Sequence, residues 1–131
     1  RSEYSRWILT VIDDLWTAYE TEFRKLWLNE RTGELYPKTA FPQSTSEEAQ
    51  NALSRYLKSI LADSFGFSGA KMIRRIIGVS HVEDTTTIED PDLRAACESR
   101  VLSIACALIL KRHSLSNVQE AIAIAEKSKL M

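Results

Sequence analysis

Apolar residues recur at steps of three and four along most of the chain, and this spacing constrains the fold more than any other feature of the sequence. The pattern is clearest between residues 4 and 29, and it returns between 46 and 65 and between 90 and 112. Steps of three and four place apolar side chains on one face of an α-helix. No segment alternates polar and apolar residues as a half-buried strand does. The sequence therefore predicts an all-α fold.

Five helices are predicted, and local signals mark the ends of the central ones. Ser44 or Thr45, followed three residues later by an acid, is a capping-box pattern in front of a second helix from about Ser46 to Phe65. Gly66 is placed to end that helix in a left-handed conformation. A third helix is then expected from Gly69 to about Ser80.

The remaining helices and the long loop have signals of their own. Asp90 and Pro91 are an N-cap acid and a proline at the first helical position, which predicts the start of the fourth helix. Ser116 is expected to open the fifth helix. Between the first and second helices the periodicity stops, and Tyr36 and Phe41 are placed to anchor this loop against the core.

Length and composition predict a single helical domain over residues 1–131. The hydrophobic content of 44% is enough for one core, and the net charge of -1 gives no overall basic field for nucleic acid or an acidic membrane. No apolar run approaches the ~18 residues of a membrane span and no secretory signal is present, so a cytoplasmic location is expected. Because the chain begins with Arg1 and enters a helical pattern almost at once, we expect it to be part of a longer protein.

The two cysteines predict neither a disulfide nor a metal site. Cys97 and Cys106 are nine residues apart in a helical pattern, so they point to opposite faces and cannot pair with each other. Neither belongs to a C-x-x-C unit. Both are expected to be small, buried or half-buried hydrophobic residues.

The stretch from Ser64 to Asp84 concentrates the features that packing alone does not require. It holds three of the four glycines in the chain, and between them lie Lys71, Arg74 and Arg75. The adjacent arginines are candidates for binding an anion from a helix edge. Their spacing alone favours a structural role, in which one pairs with an acid and the other is solvated.

Two other chemistries are excluded by spacing in the same stretch. The segment GFSGAK has two residues between its glycines where a phosphate-binding loop has four, Met72 follows the lysine, and the preceding segment is helical. His81, with Glu83 and Asp84 nearby, forms no H-E-x-x-H pattern. We therefore expect His81 to be structural, fixing the turn after the arginines by a bond to local backbone or to Asp84.

The order of motifs SFGFSGAKMIRRIIGVSHVED closely resembles the C-terminal region of 5-methylthioribose kinases. The resemblance continues through IEDPDLRAACESR and ALILKRH, and upstream through the tryptophan-rich first helix, so it covers nearly the whole chain. It implies the helical C-terminal part of a large lobe like that of protein kinases and aminoglycoside phosphotransferases. In that family the twin arginines are implicated in the substrate and phosphoryl-transfer region, which carries over to Arg74 and Arg75.

The resemblance also implies an activity and its partners. The intact enzyme moves the γ-phosphoryl group of ATP to the 1-hydroxyl of 5-methylthioribose in methionine salvage. Its catalytic loop of HGDLH type and its Asp-x-Glu metal motif do not occur in this chain. ATP and Mg²⁺ are therefore expected in the full-length enzyme and not on this chain alone, which we expect to be inactive. The implied partners are the sugar substrate and the remainder of the kinase, and a homodimer stays possible.

Two alternatives stay open at this point. The chain could be an autonomous all-helical interaction or dimerisation module, with exposed Trp and Phe side chains as partner contacts. It could also belong to another small-molecule kinase of the same fold, such as a choline or aminoglycoside kinase, although the arginine helix disfavours that. Catalytic-loop and metal motifs upstream of Arg1 would separate a kinase from an interaction module.

Overall fold

The computed structural model describes residues 2–79 and 83–128, and most of these residues are helical. The helices are α1 (Ser2–Asn29), α2 (Glu47–Ile77), α3 (Glu83–Thr86), α4 (Pro91–Lys111) and α5 (Val118–Lys127). The described residues contain no strand, so the prediction of an all-α fold is confirmed. The chain divides into two compact units, residues 1–60 and residues 61–131. That residues 1–131 act as a single domain stays a prediction.

The first unit contains α1, the long loop and the beginning of α2. Its buried cluster is formed by Trp27, Ala52, Leu53 and Leu57, with Phe23, Tyr36 and Phe41 packed against it. The prediction that Tyr36 and Phe41 anchor the loop is therefore confirmed. Much of α1 is open to solvent, and its exposed large apolar side chains are Tyr4, Trp7, Val11, Ile12, Leu15, Tyr19, Leu26 and Leu28.

The prediction that a helix ends at Gly66 and another begins at Gly69 is wrong. Helix α2 runs unbroken through both positions, and no described residue has a positive φ. Gly69 serves a different purpose, because a Cβ there would lie 2.6 Å from the carbonyl oxygen of Ala105 and 2.7 Å from Cγ1 of Ile109. Because Gly69 has no side chain, α2 and α4 can approach closely. From the sequence alone, a glycine that allows such close packing cannot be distinguished from a glycine that ends a helix.

The predicted start of α4 is confirmed, and two other helices begin one or two residues later than expected. The carboxylate of Asp90 accepts the N–H groups of Asp92 and Leu93 at 2.9 and 3.1 Å. Helix α5 is capped by Asn117, whose side chain accepts the N–H of Glu120 at 2.9 Å. Similarly, the hydroxyl that caps α2 belongs to Ser46.

The second unit buries apolar residues from α2, α4, the segment that leads into α5, and α5 itself. They are Leu61, Ala62, Phe65, Ala105, Leu108, Leu115 and Val118.

Both cysteines are free; Cys97 is half-buried as predicted, but Cys106 is exposed, so its predicted burial is wrong. No helix within residues 2–79 and 83–128 has the length and apolar character to cross a bilayer.

Candidate functional site

The twin arginines lie in the last turn of α2, where both side chains are exposed. Positive charge is favourable there because the carbonyl end of a helix carries partial negative charge. Gly78 follows immediately, and its N–H donates to the carbonyl of Arg74 at 3.0 Å. A Cβ at Gly78 would collide with that same carbonyl oxygen, so the glycine allows the chain to close tightly behind the arginines.

A pocket of about 370 Å³ in the second unit contains one of these arginines. It is lined by Lys71, Met72, Arg75, Ile76, Thr85, Val101 and Ile104. Lys71 and Arg75 are four residues apart, so they share one face of α2 and bring two cations to a mainly apolar pocket. Thr85, which is 8% exposed, lies against the same space. The arrangement can hold an anionic or hydroxylated group beside an apolar one.

The predicted site residues differ in whether they line this pocket. Arg75 lines the pocket, whereas Arg74 is not among its lining residues, because adjacent helical positions diverge by about 100°. That both arginines reach one cleft stays a prediction. Lys71, which was not put forward as a site residue, shares the pocket with Arg75. The four-residue spacing of Lys71 and Arg75 was the available signal for this pairing.

The exclusion of a phosphate-binding loop gains a physical reason from the fold. The GFSGAK segment lies within α2, where backbone N–H groups are used by the helix and are not free to cradle a phosphate. Among the described residues, no group of three His, Cys, Asp or Glu side chains is placed to hold a metal ion. His81 lies outside the described residues, so its structural role stays a prediction.

A second pocket, in the first unit, was missed by sequence reasoning. It has a volume of about 430 Å³ and includes Arg31 among aromatic side chains of α1, the loop and α2. The Arg31 guanidinium carbon lies 5.1 Å from the ring centroid of Trp27 and 5.8 Å from that of Phe41. Arg31 looked like an ordinary loop residue because nothing in its local pattern signals burial; the rings that cover it are ten or more residues away or on the preceding helix.

Comparison with known proteins gives a consistent result. No family model matches the chain. Curated proteins that are similar include methylthioribose kinase 1 of rice (Oryza sativa), 39% identical over 124 residues, and methylthioribose kinase 2 of the same plant, 38% identical over 124 residues. A methylthioribose kinase of Escherichia coli is 33% identical over 122 residues. Each alignment covers 93% of this chain but only 28 or 29% of the relative, so the chain spans less than a third of their length.

Proposed function

We propose that this chain, which matches the C-terminal part of methylthioribose kinases, is the helical C-terminal part of an ATP-dependent kinase that phosphorylates 5-methylthioribose at its 1-hydroxyl in methionine salvage. The observation that carries the proposal is the similarity to plant and bacterial methylthioribose kinases over 93% of the chain. The aligned range includes the part of α2 that carries the twin arginines. The similar proteins named above are methylthioribose kinases and not choline or aminoglycoside kinases, which favours methylthioribose as the substrate.

We infer a division of labour within the full-length enzyme. The catalytic-loop and metal motifs that the resemblance implies are not in this sequence, so the groups that hold ATP and Mg²⁺ and accept the substrate proton belong to the rest of the kinase. This chain contributes contacts to the sugar and positive charge near the transferred phosphoryl group. Phosphoryl transfer depends mainly on the positioning of the reactants and on positive charge near the transferred group. Exposed guanidinium groups at a fixed helix end can supply both.

The pocket at Arg75 suits the chemistry of the proposed substrate. Methylthioribose joins an apolar methylthio group to a hydroxylated sugar. The apolar side chains of Met72, Ile76 and Val101 offer a surface for the first group, while Lys71 and Arg75 offer donors for the second. In this proposal Arg75 contacts the substrate directly, and Arg74 approaches the phosphoryl group from the neighbouring helix edge.

The assay is ATP-dependent phosphorylation of methylthioribose by the full-length protein, followed by phosphorus NMR so that the position of the new phosphate is read directly. We expect a 1-phosphate product from the full-length protein and none from the 131-residue chain alone. Phosphorylation by the chain alone would contradict the division of labour. A full-length protein that ignores methylthioribose but phosphorylates choline or an aminoglycoside would contradict the proposed substrate.

The exposed face of α1 keeps the interaction-module alternative worth testing. Leu15 and Tyr4 are 70% and 67% exposed, and Trp7 is 56% exposed, which is unusual for large apolar side chains on one helix. In the kinase proposal the rest of the lobe covers this face, so the isolated chain should self-associate and the full-length enzyme should not do so through α1. Light scattering on the full-length protein and on its Leu15→Ser variant distinguishes the kinase from the interaction module, because only a module that dimerises through α1 loses its association when this exposed side chain is changed.

A further inference from the structure

Arg31 is a buried charge without a counter-ion in the part of the chain that the structure describes. Its side chain is 7% exposed, and its Nη2 donates to the carbonyl of Phe41. The described ion pairs of the first unit are Glu20 with Arg24 and Glu22 with Lys25, and neither includes Arg31. Stacking on aromatic rings offsets part of the cost of burying the guanidinium. A buried cation is nevertheless expensive unless an anion or several hydrogen bonds accompany it.

Among the described residues, the buried side-chain polar atoms without a hydrogen-bond partner are gathered at this one place. The buried side-chain nitrogens and oxygens there that lack a hydrogen-bond partner are Trp27 Nε1, Arg31 Nε and Arg31 Nη1. All three are donors, and both residues line the pocket of about 430 Å³. Buried donors are almost always paired in folded proteins. A cluster made only of donors, two of them on a cationic guanidinium, calls for an acceptor that carries negative charge.

The rest of the pocket wall is aromatic. The ring centroids of Trp27 and Tyr36 are 5.3 Å apart, those of Phe23 and Tyr56 are 5.3 Å apart, and those of Tyr36 and Tyr56 are 5.7 Å apart. The volume falls within the range of small-molecule pockets, which are mostly apolar with a few placed polar groups. A ligand here needs an apolar body that fits beside rings and a single anionic end.

We propose that this pocket binds a small organic carboxylate, with its carboxylate on the Arg31 guanidinium and the Trp27 indole N–H and its apolar body against the aromatic rings. A carboxylate only accepts hydrogen bonds, and its two oxygens match the planar guanidinium. Phosphate fits less well, because its greater charge needs more donors than one guanidinium and one indole supply. Glu30 also lines the pocket, but its side chain is exposed and therefore screened by water.

Ligand binding at this site must move part of the pocket wall. The unpaired nitrogens of Arg31 and Trp27 are sealed from solvent in this structure, so a carboxylate reaches them only if the guanidinium or the loop shifts slightly. Binding therefore changes the surroundings of the Trp27 indole and of the Arg31 side chain. This inference goes beyond the proposed kinase function, and it involves only residues of the first unit.

The test is a titration of the full-length protein with benzoate, with benzamide as the neutral analogue of the same shape and inorganic phosphate as the competing anion. Nitrogen–proton correlation spectra report the indole N–H of Trp27 and the Nε–H of Arg31. We expect both signals to shift saturably with benzoate, with a dissociation constant on the order of 1 mM for so small a ligand. Benzamide and phosphate should cause no saturable shift.

Three variants identify the group responsible. Arg31→Gln should weaken benzoate binding about tenfold or more, while the matched variant Arg55→Gln, which changes an exposed arginine on α2 of the same unit, should leave it unchanged. Glu30→Gln removes a nearby negative charge and should tighten binding slightly. If Arg31→Gln fails to fold, the wild-type comparison of benzoate with benzamide and the Glu30→Gln variant still decide the question. No saturable shift with benzoate, equal binding of benzamide or phosphate, or full binding by a folded Arg31→Gln variant each overturns the proposal.

Discussion

Gly66→Ala and Gly69→Ala should change the stability of the chain in opposite directions, although both glycines lie inside α2. Alanine is favoured over glycine in a helix by up to about 1 kcal/mol, and both variants gain this term. At Gly66 the new Cβ meets only the side chain of Arg112, with Cδ at 3.2 Å and Nε at 3.8 Å, and that flexible side chain can move aside. We therefore expect Gly66→Ala to stabilise the chain by about 0.5–1 kcal/mol.

At Gly69 the packing cost exceeds the helical gain. The new Cβ would lie 2.6 Å from the Ala105 carbonyl oxygen, about 0.8 Å short of the 3.4 Å at which ordinary contact begins. That oxygen belongs to the α4 backbone, so relief requires the two helices to separate. Overpacking of a tight contact costs about 1–3 kcal/mol, and because a backbone atom is involved we expect a net loss of about 1–2 kcal/mol.

Urea unfolding followed by far-UV circular dichroism measures both variants against the parent chain. The expected result is a raised midpoint for Gly66→Ala and a lowered midpoint for Gly69→Ala. A loss of about 1 kcal/mol in Gly66→Ala would show that α2 breaks at this glycine with a left-handed residue, and would refute the continuous helix. A gain in Gly69→Ala would refute the close contact between α2 and α4.

Two further predictions concern a helix cap and a phenol. Asp90→Ala removes the acceptor for the N–H groups of Asp92 and Leu93, so urea unfolding should show a loss of about 1 kcal/mol, and Asp90→Asn should retain most of the stability. Partial burial, and then the neighbouring Tyr56, raise the pKa of Tyr19 above its ordinary value of 10.0. The folded chain thus holds the Tyr19 proton more tightly than the unfolded chain does. The contribution of this phenol to the free energy of unfolding is complete below pH 10 and is lost as the pH rises through the pKa of the folded state. Ultraviolet titration should show a late-titrating phenol that is absent in Tyr19→Phe; an unchanged titration would contradict this.

Local signals predicted what local interactions determine. The apolar spacing gave the helical class, and the acid–proline start of α4 at Asp90 gave its first residue, because an N-cap is made by atoms two and three positions away. The same reasoning failed at Gly69, whose role depends on Ala105 and Ile109 on another helix. It also failed at Arg31, whose burial depends on rings brought together only by the fold.

For the candidate site, too, local sequence predicted some features, and others depend on the fold. The twin arginines were found from their sequence and their resemblance to a known family, but which of them faces a pocket is a matter of helical rotation. Lys71 joins Arg75 at the pocket of the second unit through a four-residue spacing that is common to many solvated helix faces. Such a spacing becomes informative only when Val101 and Ile104 of another helix close the other side.

The proposed kinase role is tested most directly by steady-state kinetics of methylthioribose phosphorylation in the full-length protein, comparing Arg74→Ala, Arg75→Ala and Arg75→Lys with the control Arg55→Ala. Each alanine variant at the twin arginines should lose about 2–4 kcal/mol of transition-state stabilisation, roughly a hundredfold or more in kcat/KM for methylthioribose. Lysine at position 75 should rescue only part of this, because it keeps the charge but loses the planar fork. ATP affinity, melting temperature and the control should stay nearly unchanged. Normal turnover in both alanine variants, or losses that only follow lost folding, would show that the arginines are structural cations and contradict the proposed site.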